Sequence, residues 1–189
     1  MEHLIRPVRA EDWQKVRELR LLALKDPAAP VAFLETYENA AAKPDAYWQE
    51  RTEGAAVPSR AMRQFIAEGP GGDWAGSVTV LIEEPGTQGA LGTERASVRQ
   101  AHLVGVYVRP EFRGTGLTEA LFAAAVDWAR SSGDERAGVE RVRLFVHEDN
   151  PRAEAFYRKF GFVPSGETVP VPGDPGARER EMVLGRGVG

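Results

Sequence analysis

Apolar and polar positions along this chain recur in short, assignable patterns. Leu4, Ile5 and Val8 open it as a strand over residues 4–9. Trp13, Val16, Leu19 and Ala23 then fall at helical spacing, which predicts a helix over 11–25. Asp26-Pro27 ends it, because a proline disfavours helical geometry in the residue before it. Residues 28–55 predict one or two shorter helices broken at Pro30 and Pro44. Residues 61–68 and 74–83 read as two strands joined by Gly69-Pro70-Gly71-Gly72-Asp73, a strong turn signal. Residues 84–95 read as a mobile loop and 97–108 as the next strand.

A second helix follows, with Leu117, Leu121, Ala124 and Trp128 on one face and Ser131-Ser132-Gly133 at its close. Residues 134–138 form a polar link. Val139, Val142, Leu144 and Val146 predict a strand to about His147. Asn150 caps a further helix with Pro151 in its first position, and Ala153, Phe156, Tyr157 and Phe160 make its inner face. Gly161 is its stop signal. Phe162-Val163 begins a short strand, 164–176 is a loop rich in Pro and Gly, 180–184 is a last strand and 185–189 a frayed tail. The whole, 1–189, reads as a single domain with a full-sized core.

Composition narrows the function. With 24 basic against 28 acidic residues the net charge is −4, which argues against a general nucleic-acid binder. No apolar run is long enough to span a membrane and the start lacks a signal-peptide core, so the cytoplasm is the default compartment. With Cys 0, disulfides, thiolate metal sites and a cysteine nucleophile are excluded. Residues 26–55 are locally acidic (Asp26, Glu35, Glu38, Asp45, Glu50 and Glu53 against Lys43 and Arg51), which is either a solvated helix face or a rim that attracts a cationic amine. Phe33, Leu34, Tyr37, Tyr47 and Trp48 either pack these helices onto a sheet or line an acceptor pocket.

The most informative stretch runs from Val106 to Leu121. It passes from a β-run, Val106-Tyr107-Val108, through a proline turn to Arg113-Gly114-Thr115-Gly116 at the head of a helix. The glycines leave backbone amides uncovered where the helix begins. Free N–H groups and the positive end of the helix dipole make that point an anion site, with the Arg113 charge beside it. A P-loop is excluded, since Gly-Lys-Ser/Thr does not follow, and Glu119 occupies the third glycine position of a dinucleotide fingerprint. His147-Glu148-Asp149 has metal-ligand types, but neighbours on a strand face opposite ways, so no metal is expected. No Gly-x-Ser-x-Gly elbow is present.

The stretch Arg113-Gly114-Thr115-Gly116-Leu117-Thr118 resembles the acyl-CoA signature of the GCN5-related N-acetyltransferases (GNAT), which runs Arg or Gln, two residues, Gly, one residue, then Gly or Ala. Thr118 departs from it; its hydroxyl could donate to a phosphate in compensation. Asn150-Pro151-Arg152-Ala153 through Phe156-Tyr157 to Gly161-Phe162 resembles the second block of that family more tightly, in the family's order and spacing. The resemblance covers roughly 97–165 and implies an α/β (α+β) fold, a central mixed twisted sheet of about seven strands flanked by about four helices.

It also implies a chemistry: direct acetyl transfer from acetyl-CoA, the acyl-donor substrate, to a primary amine in a ternary complex, without a metal. The pantetheine arm would lie in a gap between two splayed strands and pair with backbone at Val106 and Val108, in the stretch that includes Tyr107. The pyrophosphate would sit on the amides of Arg113, Gly114, Thr115, Gly116, Leu117 and Thr118. Asn150 would hold the cofactor arm or cap its helix, and the two roles are compatible. Tyr157 would assist departure of the thiolate, or else be a core tyrosine. The family often carries a glutamate on the strand before Val108; here Gln100 and His102 stand there, which makes His102 the first candidate base, with Glu148 and His147 next. The partner implied is a small-molecule amine, with no nucleic acid or membrane; a homodimer is compatible. A non-catalytic acyl-CoA-binding domain and a protein acetyltransferase are the alternatives.

Overall fold

The computed structural model describes residues 2–89, 95–131 and 138–185. A seven-stranded mixed sheet organises the chain, in the order β1-β2-β3-β4-β5-β7-β6. The strands are β1 (Leu4–Pro7), β2 (Met62–Glu68), β3 (Trp74–Glu83), β4 (Gln100–Val108), β5 (Arg141–His147), β6 (Phe162–Val171) and β7 (Asp174–Leu184). Six α-helices accompany them: α1 (Trp13–Leu24), α2 (Ala29–Ala32), α3 (Tyr37–Ala41), α4 (Asp45–Gly54), α5 (Leu117–Ser131) and α6 (Pro151–Phe160). All neighbouring strands are antiparallel except β4 and β5, which are parallel.

Each face of the sheet carries its own core, because β-strand side chains alternate between faces. On one face α5 and α6 bury Leu117, Leu121, Phe122, Ala125, Tyr157 and Phe162 against Val78, Val80, Val142 and Leu144. On the other, α1, α3 and α4 bury Val16, Leu19, Ala40 and Trp48 against Ile66, Trp74 and Tyr107.

Several sequence expectations need correction. Ala124 and Trp128 are only partly buried; the inward stripe of α5 passes through Phe122, Ala125, Val126 and Ala129. Leu117, Leu121, Ala124 and Trp128, spaced by four, three and four, do share one face, but they form the edge of a broader buried surface that is centred nearer Ala125, so Ala124 and Trp128 pack against the core from its margin. Residues 28–55 form three helices, and Pro30 sits in the first turn of α2, where its missing N–H costs nothing, rather than breaking a helix. The loop expected over 164–176 is strand: β6 and β7 form a long hairpin with Gly173 at its turn. Pro164 and Pro170 are accommodated because β6 is the sheet edge, and register shifts occur at both prolines. The strand of 97–108 begins at Gln100. Most of the 134–138 link, the end of the 84–95 loop and nearly all of the tail lie outside the described residues.

Candidate active site

Among the described residues the one parallel pair of the sheet is also incomplete. β4 and β5 pair from Gln100–Arg141 to His102–Arg143 and no further, so β4 from Leu103 to Val108 has no partner on that side. A bulge helps drive the strands apart. Ser77 faces Tyr107 and Thr79 faces Val104, so Gly105 and Val106 together oppose a single residue of β3. Gly105 lies at φ +62°, a conformation that favours glycine. The resulting split opens into a cavity of about 620 Å³ lined by β4, β5, the start of α5, α6 and the α1–α2 region.

At one end of the split, Gly114 and Gly116 turn the chain into α5 with φ of +76° and +87°. Nothing lies within 4 Å of where a Cβ would stand on either glycine. The N–H groups of residues 114–119 have no hydrogen-bond acceptor among the described residues, whereas Ala120 N–H already bonds Gly116 O at 3.0 Å. Free amides at a helix start with open ground before them can take an anion such as a phosphate. Gly114 and Thr118 line the cavity. Leu117 is buried in the core beneath, and Thr115 Oγ1 donates to Phe112 O at 2.6 Å.

Arg113 is more constrained than the sequence suggested. Its Nε donates to Val108 O at 2.8 Å, and its Nη2 lies 2.5 Å from Asp26 Oδ2. The charge beside the amides is thus already paired, and the Val108 carbonyl already has one donor. Val106 and Val108 line the split, while Tyr107 sits mainly in the core on the α1 face, where burial pushes its phenol up. Asn150 caps α6, its side chain accepting from Ala153 N–H at 3.3 Å, and also lines the cavity.

Tyr157 projects from α6 into the same cavity. Its ring stacks on Phe122 with centroids 5.8 Å apart and meets Phe162 at 6.2 Å, so its direction is fixed by packing. Its hydroxyl has no hydrogen-bond partner among the described residues. Burial, with some help from the Glu179 carboxylate, pushes the phenol up to about 12.

His102 lines the cavity from β4, 1 % exposed. Its Nδ1 has no hydrogen-bond partner among the described residues; Glu83 Oε1 is 3.8 Å away, beyond direct reach. Glu83 in turn is gripped by Arg143 at 2.9 Å, and Arg143 bonds Glu181 at 2.8 Å. Burial alone would raise the Glu83 carboxyl, but the neighbouring His102 and the Arg143 guanidinium outweigh it and hold it at about 2. Of the other two candidate bases, His147 reaches the cavity, while Glu148 is exposed and its carboxylate accepts from Arg178 N–H.

Glu179 was not anticipated. It sits on β7 opposite His147, lines the cavity, and has a buried Oε2 with no partner. Burial pushes its carboxyl up, against the lowering effect of His147 and His102. In the sequence it falls between the expected loop of 164–176 and the expected strand of 180–184, whereas β7 begins at Asp174. The acidic stretch 26–55 also reads differently once folded: Asp26 pairs with Arg113, Glu35 with Arg20 and Lys43, and Asp45 with Arg17. Phe33 and Leu34 line the cavity, whereas Trp48 is core and Tyr37 and Tyr47 pack against that core.

Residues 13–162 match the model of the family described as "Acetyltransferase (GNAT) family". An uncharacterized N-acetyltransferase of Mycobacterium tuberculosis is 37% identical over 76 residues, covering 38% of this chain and 43% of the relative. A mycothiol acetyltransferase of Beutenbergia cavernae is 34% identical over 91 residues, covering 47% of this chain and 29% of its own length. The chain thus spans less than half the length of these curated relatives. A crystal structure of a GNAT-family acetyltransferase from Streptococcus pneumoniae superposes with a TM-score of 0.71 at 19% identity, covering 96% of this chain and 98% of that one, a likeness of fold.

Proposed function

The chain belongs to the GNAT family of acetyltransferases, and we propose that it transfers an acetyl group from acetyl-CoA directly to a primary amine of a small molecule. The observation that carries this reading is the split between β4 and β5. It joins uncovered helix-start amides at one end to an unpartnered tyrosine hydroxyl within a single cavity.

Acetyl-CoA supplies an acyl carbon activated as a thioester. The amides of residues 114–119 hold the diphosphate, with the Thr118 hydroxyl as a further donor. Because Asp26 already pairs with Arg113, the amides rather than that side chain provide most of the attraction. The unpaired edge of β4 at Val106 and Val108 offers backbone groups to the pantetheine amides.

Tyr157 donates a hydrogen bond to the sulfur as the C–S bond breaks. Its phenol at about 12 stands some 3.5 units above a thiol, so complete proton transfer is uphill by about 5 kcal/mol. A hydrogen bond strengthening as negative charge develops needs no such transfer. The amine, with pKa ~10, must lose a proton before attack. His102 takes it from the β4 side, directly or through water, and Glu179 is the alternative acceptor beside Tyr157.

A cavity bounded on the acceptor side by Arg20, Phe33, Leu34 and Arg51 suits a small amine better than a protein chain end. The test is thiol release from acetyl-CoA across a panel of amines, read with a thiol-reactive chromophore; the protein adds no background because it has no cysteine. Amine-dependent release, with the acetylated amine found by mass spectrometry, supports the proposal. Tight acetyl-CoA binding with no release for any amine would assign the chain instead to acyl-CoA binding without catalysis.

A further inference from the structure

The acceptor end of the cavity carries Glu35, Arg20 and Arg51, and Lys43, which does not line it, bonds Glu35. Glu35 accepts from Arg20 at 3.1 Å and from Lys43 at 2.6 Å, and is only 16% exposed. Arg51 reaches the same corner from α4. Its only side-chain hydrogen bond among the described residues goes to the Tyr47 hydroxyl at 3.0 Å, and no carboxylate faces it. Arg20 and Arg51 are close enough that the Arg20 guanidinium is pulled below its ordinary range, first by burial and then by the Arg51 charge. The Tyr47 phenol is drawn down by Lys43 and Arg51 in spite of burial.

Glu35 already pairs with Arg20, so a second arginine beside it on the cavity wall is costly unless a further anion completes the set. Both line the cavity together with Thr79 and Gly105, on the bulge side of β4, and a small adjoining hollow bounded by the same four residues is lined by none of residues 114–119. The surplus charge therefore does not belong to the diphosphate end. A planar guanidinium with free N–H groups matches a carboxylate in bidentate fashion.

We infer that the acceptor carries a carboxylate as well as its amine, and that Arg51, with Arg20 beside it, binds that carboxylate. The acceptor class is then amino acids and related amino-carboxylates rather than polyamines. This rests on the acetyl-transfer reading above. It gives Arg51 a specificity role, with no part in the bond-making step.

The experiment compares α-amino acids with their α-carboxamides, in kcat/KM by thiol release and in binding by calorimetry to the protein saturated with CoA. The parent should favour the carboxylate member of the best pair by about 10–100-fold, the worth of charge-assisted hydrogen bonds. In Arg51→Gln that ratio should fall to within ~3-fold, while Arg51→Lys retains part of it. Glu35→Gln, which frees Arg20 and Lys43, should raise it. Thermal unfolding confirms that each variant is folded.

A parent that acetylates amines but prefers carboxamides or polyamines overturns the inference and leaves the transfer reading standing. So does an Arg51→Gln variant that is folded and keeps the parent ratio. Preferential binding of the carboxylates with no thiol release supports the anion site and counts against acetyl transfer. Neither binding nor release in either series rejects both.

Discussion

The Arg113 guanidinium lies 2.5 Å from the Asp26 carboxylate, and so the loop that starts α5 is tied to the turn just after α1. Both residues line the cavity. The Asp26 side chain is 6% exposed against 24% for Arg113, so the pair is closer to a buried bridge than to a surface one. Asp26→Asn should cost about 2 kcal/mol of stability, because it leaves a half-buried guanidinium held only by Val108 O. A fall in Tm of roughly 4–8 °C is expected. Unaltered unfolding would show that the bridge is energetically idle.

Tyr157→Phe separates chemistry from packing. The ring keeps its stack on Phe122, and the hydroxyl has no partner to lose. Stability should therefore hardly move. Turnover should drop by about 10–100-fold, a lost hydrogen bond to developing charge, with KM for acetyl-CoA nearly constant. With the phenol at about 12, its ionisation should leave no falling limb in the parent pH–rate profile between pH 7 and 10. Equal turnover in the two proteins would make Tyr157 a core residue.

Gly116→Ala tests the helix-start amides. At φ +87° an alanine is strained by about 1–2 kcal/mol, although its methyl would meet no neighbour. Any relaxation reorients the free N–H groups, so acetyl-CoA affinity should fall about 10-fold in calorimetric titration, beyond a small drop in Tm. Parent-like affinity would move the phosphate site elsewhere.

How much of this was legible follows from range. The glycines at 114 and 116, the Asn150 cap and the aromatic face of α6 are local signals, and each stands where spacing put it. The split between β4 and β5 came from the family resemblance, since no local pattern marks where a parallel pair stops. Pro164, Pro170 and the glycines near them read as loop, when an edge strand tolerates them, and the strand expected to follow began one residue after Glu179. The acidic count over 26–55 misled for a different reason. Its main partners, Arg17, Arg20 and Arg113, come from outside the segment, and composition cannot see pairing.

A buried carboxylate at the end of β3, paired with Arg143 of β5, gives the acid limb of stability. The Glu83 carboxyl sits at about 2, below the ~4.3 of an unfolded glutamate. A depressed folded value means that its contribution is fully present above about pH 4.5 and is lost as pH falls toward 2. Glu83→Gln should lower stability at pH 7 by about 3 kcal/mol, by leaving Arg143 with one fewer buried partner, and should flatten the pH dependence between 4.5 and 2. Urea unfolding at a series of pH values checks this; parallel curves for parent and variant would contradict it.

Thermal unfolding with and without acetyl-CoA tests the central claim most directly, because it needs no knowledge of the acceptor. At a ligand concentration ~100 times Kd, binding to the folded state adds about 2.7 kcal/mol. For a chain of this size the account predicts a rise in Tm of roughly 5–10 °C, reduced in Gly116→Ala. No rise at millimolar acetyl-CoA would contradict it: the split between β4 and β5 would then be a feature of the fold without the ligand assigned to it.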